Sequence, residues 1–157
     1  RAEDIHDFLV EIGGEVFAAG TKKDGSPWRI GVNTPRKGAP VNQVYKVIEL
    51  QNRALATSGD YRNFLEIDGT RYQHVVDPRT GYPVSNGVVS VSVEAADCTL
   101  ADGLATALMV MGPARGLDLL NDLQGVEGLI VAVQEDGYFV DHYSAGHRFS
   151  EISLRSE

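Results

Sequence analysis

Short apolar and β-branched runs, broken by turn dipeptides, leave this chain few architectures to choose from. FLVEIGGEVFAAG, WRIGVN, KVIELQNRALATSG, FLEI, TRYQHVV, VVSVSVEA, LIVAV and YFVDHY read as mostly strands. Asp24-Gly25, Asp68-Gly69 and Asp136-Gly137 each fall between two such runs. A two-residue Asp-Gly loop signals a hairpin, because the tight turn whose twist matches paired strands needs positive φ at both central residues. Three hairpins predict a largely antiparallel sheet. Two segments break the rhythm with helical spacing. In TLADGLATALMVMG, Leu100, Leu104, Leu108 and Met111 give one apolar face, ended by Gly112-Pro113; in ARGLDLLNDLQG, Leu117, Leu120 and Leu123 do the same before Gly125. The expected fold class is α+β, an antiparallel or mixed sheet carrying two helices.

At 157 residues, 43% of them hydrophobic, the chain can bury one substantial core and is short for two, so a single domain over 1–157 is expected. No apolar run approaches the roughly 18 residues that suggest a membrane span, and no basic-then-apolar leader opens the sequence. It opens at Arg1, without Met, on RAEDIHDF, a polar stretch readable as the tail of a helix that begins upstream, and a fragment of a longer chain is expected. A net charge of −8 argues against nucleic acid as a partner, since phosphate-backbone binding relies on clustered Lys and Arg. A small anionic ligand still fits if positive charge is supplied locally, by one or two Arg or a bound divalent cation. The lone Cys98 excludes an internal disulfide and a cysteine zinc cluster, and reads as a small buried hydrophobe ahead of a helix.

Several residues carry chemistry in their spacing. Asp102 and Thr106 stand at i and i+4 of the first helical pattern, so both offer oxygen from one face, a partial shell for a hard cation such as Mg²⁺. The competing reading is a capping box, Thr99 with Asp102, in which the acid satisfies backbone N–H groups; the pattern by itself favours the cap. Gly13-Gly14 interrupts a strand, which suggests a bulge or the close approach of a backbone or ligand. SGDYRN joins two strands in a turn expected to expose Asp60, Tyr61 and Arg62. HVVDPRTGYPV, residues 74–84, is punctuated by Pro78, Gly81 and Pro83 into a rigid loop. Within it Asp77 and Arg79 can pair across the turn, and His74 is an acid, a base or a hydrogen-bond partner near neutral pH; residue grammar alone favours structural staples.

Five blocks, VEIGGEV, GSPWRIGV, ATSGDYRNF, HVVDPRTGYPV and ADGLATALMVMG, stand in an order that resembles the C-terminal half of the ApbE family, the FAD:protein FMN transferases. The likeness runs over nearly the whole chain. It implies a T-fold-like half of the ApbE architecture, with FAD as substrate and Mg²⁺ as cofactor. The implied reaction cleaves the pyrophosphate and transfers FMN to a threonine hydroxyl of a partner flavoprotein, releasing AMP. By this resemblance Asp102 and Thr106 are metal ligands, and the position before Thr106, acidic in some relatives, is Ala105 here and gives no side-chain ligand. His74 falls at the active site, as proton acceptor or flavin-positioning group, and the backbone around Val76 lines the flavin pocket. Gly13, Gly14, Asp60 and Arg62 are expected to shape the floor of the site.

FAD's pyrophosphate is dianionic, and an acidic protein needs concentrated positive charge to hold it, which a metal on Asp102 and Thr106 would supply. Family chains continue for a comparable length on the N-terminal side, with further flavin contacts and another metal ligand, and are typically exported and lipid-anchored at the periplasmic face. Two rival expectations remain: a pyrophosphatase that uses water to give FMN and AMP, or a flavin-binding or interaction module without turnover if the other half is required.

Overall fold

The computed structural model describes residues 5–40, 42–60, 64–67 and 70–152, with the side chains of 64–67 and 70–72 outside that description. Among the described residues the chain runs β1 (Phe8–Ile12), β2 (Glu15–Ala19), β3 (Trp28–Asn33), β4 (Val44–Leu50), β5 (Arg53–Gly59), β6 (Phe64–Ile67), β7 (Thr70–Gln73) and β8 (Val88–Ala95). Then come α1 (Cys98–Met111), α2 (Pro113–Asp122), β9 (Glu127–Val133), β10 (Phe139–Tyr143) and β11 (Phe149–Ser150). A six-stranded sheet has the order β1-β2-β5-β8-β9-β10, a three-stranded sheet β11-β4-β3, and β6 pairs with β7. Every strand pair among the described residues is antiparallel, so the α+β class holds, with antiparallel rather than mixed sheets there.

The large sheet is covered on both faces. On one, Ala54, Ala56, Val91, Val93 and Ala95 pack beneath Ala101, Ala105, Leu108 and Met109 of α1 and Leu120 of α2. On the other, Val16, Ala18, Leu55, Leu129 and Val131 meet Val32, Ile48 and Leu50 of the small sheet and Phe149. β8 is buried along its whole length because it lies centrally between the two cores. None of the helices among the described residues is long and apolar enough to cross a membrane.

The turn signals divide into three outcomes. Asp136-Gly137 closes the β9–β10 hairpin, where Gly137 takes φ 83° and its N–H donates to Gln134 O at 2.9 Å. β6 and β7 pair across Asp68-Gly69, two residues that themselves lie outside the described set. Asp24-Gly25 makes no hairpin. β2 already has β1 and β5 as neighbours, so the chain leaving it crosses to the small sheet and the Asp-Gly turn serves that crossing. The tight hairpin sits instead at Gly13-Gly14: Ile12 pairs with Glu15, and both glycines have positive φ, 71° and 111°. That replaces the expected bulge with a turn that only glycine enters without strain.

Two further expectations shift. Ile5 to Asp7 are not helical and lead directly into β1, while residues 1–4 lie outside the described set. The buried face of α1 is Ala101, Ala105, Leu108 and Met109, whereas Leu100 is 43% exposed. Small side chains facing the alanines of β5 let helix and sheet approach closely, which turns the alanine row inward and part of the leucine row out. Gly112, with φ 78°, ends α1 and opens α2, as the Gly-Pro signal requires.

Candidate functional site

A cleft of about 1180 Å³ opens where the β1–β2 hairpin, β3, β5, the 74–78 segment and α1 converge. Glu11, Gly13 and Gly14 form one rim, Ile30–Asn33 of β3 a wall, Leu55 and Thr57–Gly59 of β5 the floor, and His74–Val76 with Pro78 the opposite rim. Asp102, Gly103, Thr106, Ala107 and Val110 of α1 complete it. Its volume slightly exceeds the ordinary range for ligand pockets, roughly 300–1,000 Å³. His74, Val76, Gly13, Gly14, Asp102 and Thr106, drawn from three distant stretches of sequence, all line this one space.

Local folding explains why each side chain is there. Val75 and Val84, both buried, are joined by Val84 N–H to Val75 O at 3.0 Å, and Val76 bridges Pro83 in antiparallel fashion. Alternation along this short ladder turns Val75 into the core and leaves His74 and Val76 exposed on the cleft side. The ladder ends in a turn where Gly81 takes φ 75° and its N–H donates to Asp77 O at 2.8 Å. Asp77 Oδ1 accepts from Arg79 N and Nε at 2.9 and 3.0 Å, and Oδ2 from Nη2 at 2.7 Å. These bonds, the side-chain guanidinium first, hold the Asp77 carboxyl down at about 2. The Asp77–Arg79 staple expected from sequence is therefore built.

The capping-box reading of Asp102 is corrected. α1 begins at Cys98, and its N-cap is Asp97, whose Oδ1 accepts from Leu100 N–H at 2.9 Å. Asp102 lies beyond the first turn, exposed to the cleft, with no cap to serve. Cys98 is the first helical residue and only partly buried; burial, and then the carboxylates of Glu15, Asp97 and Asp102, push its thiol up. Of those three acids, Asp102 alone lines the cleft.

The donor set fits a hard divalent ion in a limited way. Asp102 carboxylate and Thr106 hydroxyl are two oxygen-bearing groups one helical turn apart, and no group of three or more His, Cys, Asp or Glu able to hold a metal ion exists among the described residues. A partial oxygen shell suits Mg²⁺, which keeps several waters and shares ligands with substrate phosphates. Thr106 Oγ1 also lies 3.1 Å from Ser58 Oγ of β5.

Sequence reasoning missed Ser58, Thr57 and the β3 wall. Ser58 sits inside the quoted block ATSGDYRNF, but strand alternation alone does not say that it faces α1. Asp60, expected on an exposed turn, is 4% exposed, and its N–H donates to Val89 O at 3.1 Å. It does not line the cleft. Tyr61 and Arg62 lie outside the described residues.

Comparison with known proteins gives a consistent result. A family model described as the ApbE family matches residues 1–130. A Vibrio cholerae FAD:protein FMN transferase is 45% identical over 138 residues, covering 88% of this chain and 40% of the relative. One from Haemophilus influenzae is 36% identical over 148 residues, covering 94% and 42%. Among solved structures, the flavin transferase ApbE from Vibrio cholerae superposes with a TM-score of 0.76 at 43% identity, covering 92% of this chain and 44% of that one. The apo flavinyl transferase ApbE of Pseudomonas stutzeri gives 0.75 at 41%, covering 92% and 43%. The chain thus spans about two fifths of the length of the relatives it matches.

Proposed function

The chain belongs to the ApbE family, and on that footing we propose that its cleft binds FAD and serves Mg²⁺-dependent transfer of FMN to a threonine hydroxyl of a partner flavoprotein. The supporting observation is the convergence of Gly13, Gly14, His74, Val76, Asp102 and Thr106 on one cleft of about 1180 Å³. Relatives that carry the name FAD:protein FMN transferase supply the chemistry.

In this reading Asp102 and Thr106 hold Mg²⁺, which when bound neutralises pyrophosphate charge and polarises the phosphorus under attack. The hairpin glycines bring backbone, unobstructed by side chains, against the ligand. Val76 lays its backbone along the flavin, held by its bridge to Pro83. The threonine oxygen bonds to the FMN phosphorus as the P–O bond to AMP breaks. His74 takes the hydroxyl proton, or fixes the flavin while another group takes it; reach decides which. Location of the whole protein at the periplasmic face, under a lipid anchor, rests on the resemblance alone.

The experiment is incubation with FAD, Mg²⁺ and a relative's acceptor flavoprotein. Mass spectrometry should show a threonine gaining FMN while AMP appears in equal amount. Fast AMP release without any acceptor would favour the pyrophosphatase instead. No AMP under either condition would leave a binding module.

A further inference from the structure

We infer that Ser58 is a positioning residue for Thr106: its Oγ accepts the hydrogen bond that the Thr106 hydroxyl donates and so aims the Thr106 lone pair at a cation held with Asp102. The inference rests on the proposed cation-binding role of Asp102 and Thr106, and it concerns a residue outside that pair.

A threonine on a helix ordinarily keeps its polar contacts within its own element. Its hydroxyl donates back to the carbonyl three or four residues earlier, which turns the oxygen down onto its own helix. A hydroxyl that gives a lone pair to a cation still carries a proton, and that proton needs an acceptor away from the ion. Ser58 Oγ offers one from the neighbouring strand, 3.1 Å from Thr106 Oγ1, and either oxygen can be the donor. With the cation in place the choice is fixed, since a cation at Thr106 Oγ1 repels a proton pointed at it and strengthens the bond Thr106 donates. Ser58 then points its own O–H, as a donor, toward the cleft, which it lines.

The placement is built into both elements. Ala54 and Ala56, on the same face of β5 as Ser58, are fully buried beneath α1, opposite a helix that presents Ala101 and Ala105. Methyl-sized side chains on both partners close the gap between strand and helix. At the next inward position of the strand the row changes from Ala to Ser, level with Thr106 rather than with Asp102. Thr106 itself is exposed, so its pair with Ser58 competes with water and contributes little to holding the fold. Its effect is on direction, and partners that orient metal ligands typically govern affinity.

Mn²⁺, a spectroscopic stand-in for Mg²⁺, provides a readout independent of turnover: the free-ion electron paramagnetic resonance signal falls as the chain takes it up. Ser58→Ala should weaken Mn²⁺ binding about 10-fold or more, with the melting temperature of the metal-free chain unchanged. Ser58→Thr, which restores an oxygen at that point, should recover the affinity. Unaltered Mn²⁺ binding in Ser58→Ala, while Asp102→Asn and Thr106→Ala lose it, overturns the role of Ser58 and leaves the cation site standing. If Asp102→Asn and Thr106→Ala bind Mn²⁺ as the unsubstituted chain does, the cation site fails and Ser58 with it. A Ser58→Ala chain that melts well below the parent and is not restored by Ser58→Thr also overturns the inference, in favour of plain packing.

Discussion

Asp97 and Asp102 are five positions apart, one at the start of α1 and one beyond its first turn, and the structure gives them different work. Asp97 caps, through Leu100 N–H, while Asp102 faces the cleft beside Thr106. Asp97→Ala should therefore cost about 1 kcal/mol of stability, the ordinary loss of an N-cap, and leave divalent-cation binding intact. Asp102→Asn should do the reverse, keeping the melting temperature and losing cation affinity and FMN transfer. Thermal melts beside cation titrations separate the two, and a lowered melting temperature with unchanged affinity would return Asp102 to a structural role. At this scale the sequence is legible where partners are near neighbours. Asp77 and Arg79, two residues apart, pair as expected. It misleads where the start of a helix must be placed within a residue or two, because Asp97 and Thr99 can both cap.

Helix α1 shows how an element is oriented by fit as well as by hydrophobicity. Leucine spacing points to a face through Leu100, yet the sheet takes the face of Ala101 and Ala105, where backbones approach most closely. The same closeness governs α2. Gly116→Ala in an exposed helix would stabilise by about 1 kcal/mol. Here a Cβ at Gly116 would sit 2.7 Å from Ile130 Cδ1 and 3.1 Å from Leu108 Cδ2. Both side chains are fully buried, so neither can swing into solvent. Overpacking should outweigh the helical gain, giving a net loss of about 1 kcal/mol, read from urea denaturation. A stabilised Gly116→Ala protein would show that the α1–α2–β9 contact is looser than this.

Between the two sheets, charge as well as packing fastens the whole molecule. Glu94 of β8, with its side chain fully buried, accepts from Arg53 Nε of β5 at 2.8 Å and from Arg148 Nε, just before β11, at 3.2 Å. Lys46 of β4, nearly buried, reaches Asp141 of β10 at 2.9 Å, which Tyr45 and Tyr143 also hold. Removing one partner of a fully buried pair costs roughly 3–5 kcal/mol. The side chains of Arg53 and Arg148 keep 22% and 48% exposure, so Glu94→Gln should cost less, about 2 kcal/mol, in a urea titration at neutral pH. Parent-like stability would mean that Glu94 fastens nothing. The sequence alone determined two of the turns, at Asp68-Gly69 and Asp136-Gly137, a largely antiparallel arrangement of strands, and where two helices run, because turn residues, periodicity and near-neighbour hydrogen bonds act within a few positions; the order of its blocks pointed to the ApbE family. Only the tertiary structure decided that β2 and β3 part into different sheets, that α1 lies on its alanines, that Asp60 is covered, and that Ser58 meets Thr106 across 48 residues of chain. Those outcomes depend on which surfaces fit closest once all the elements compete for the same two cores, and no short stretch of sequence carries that information.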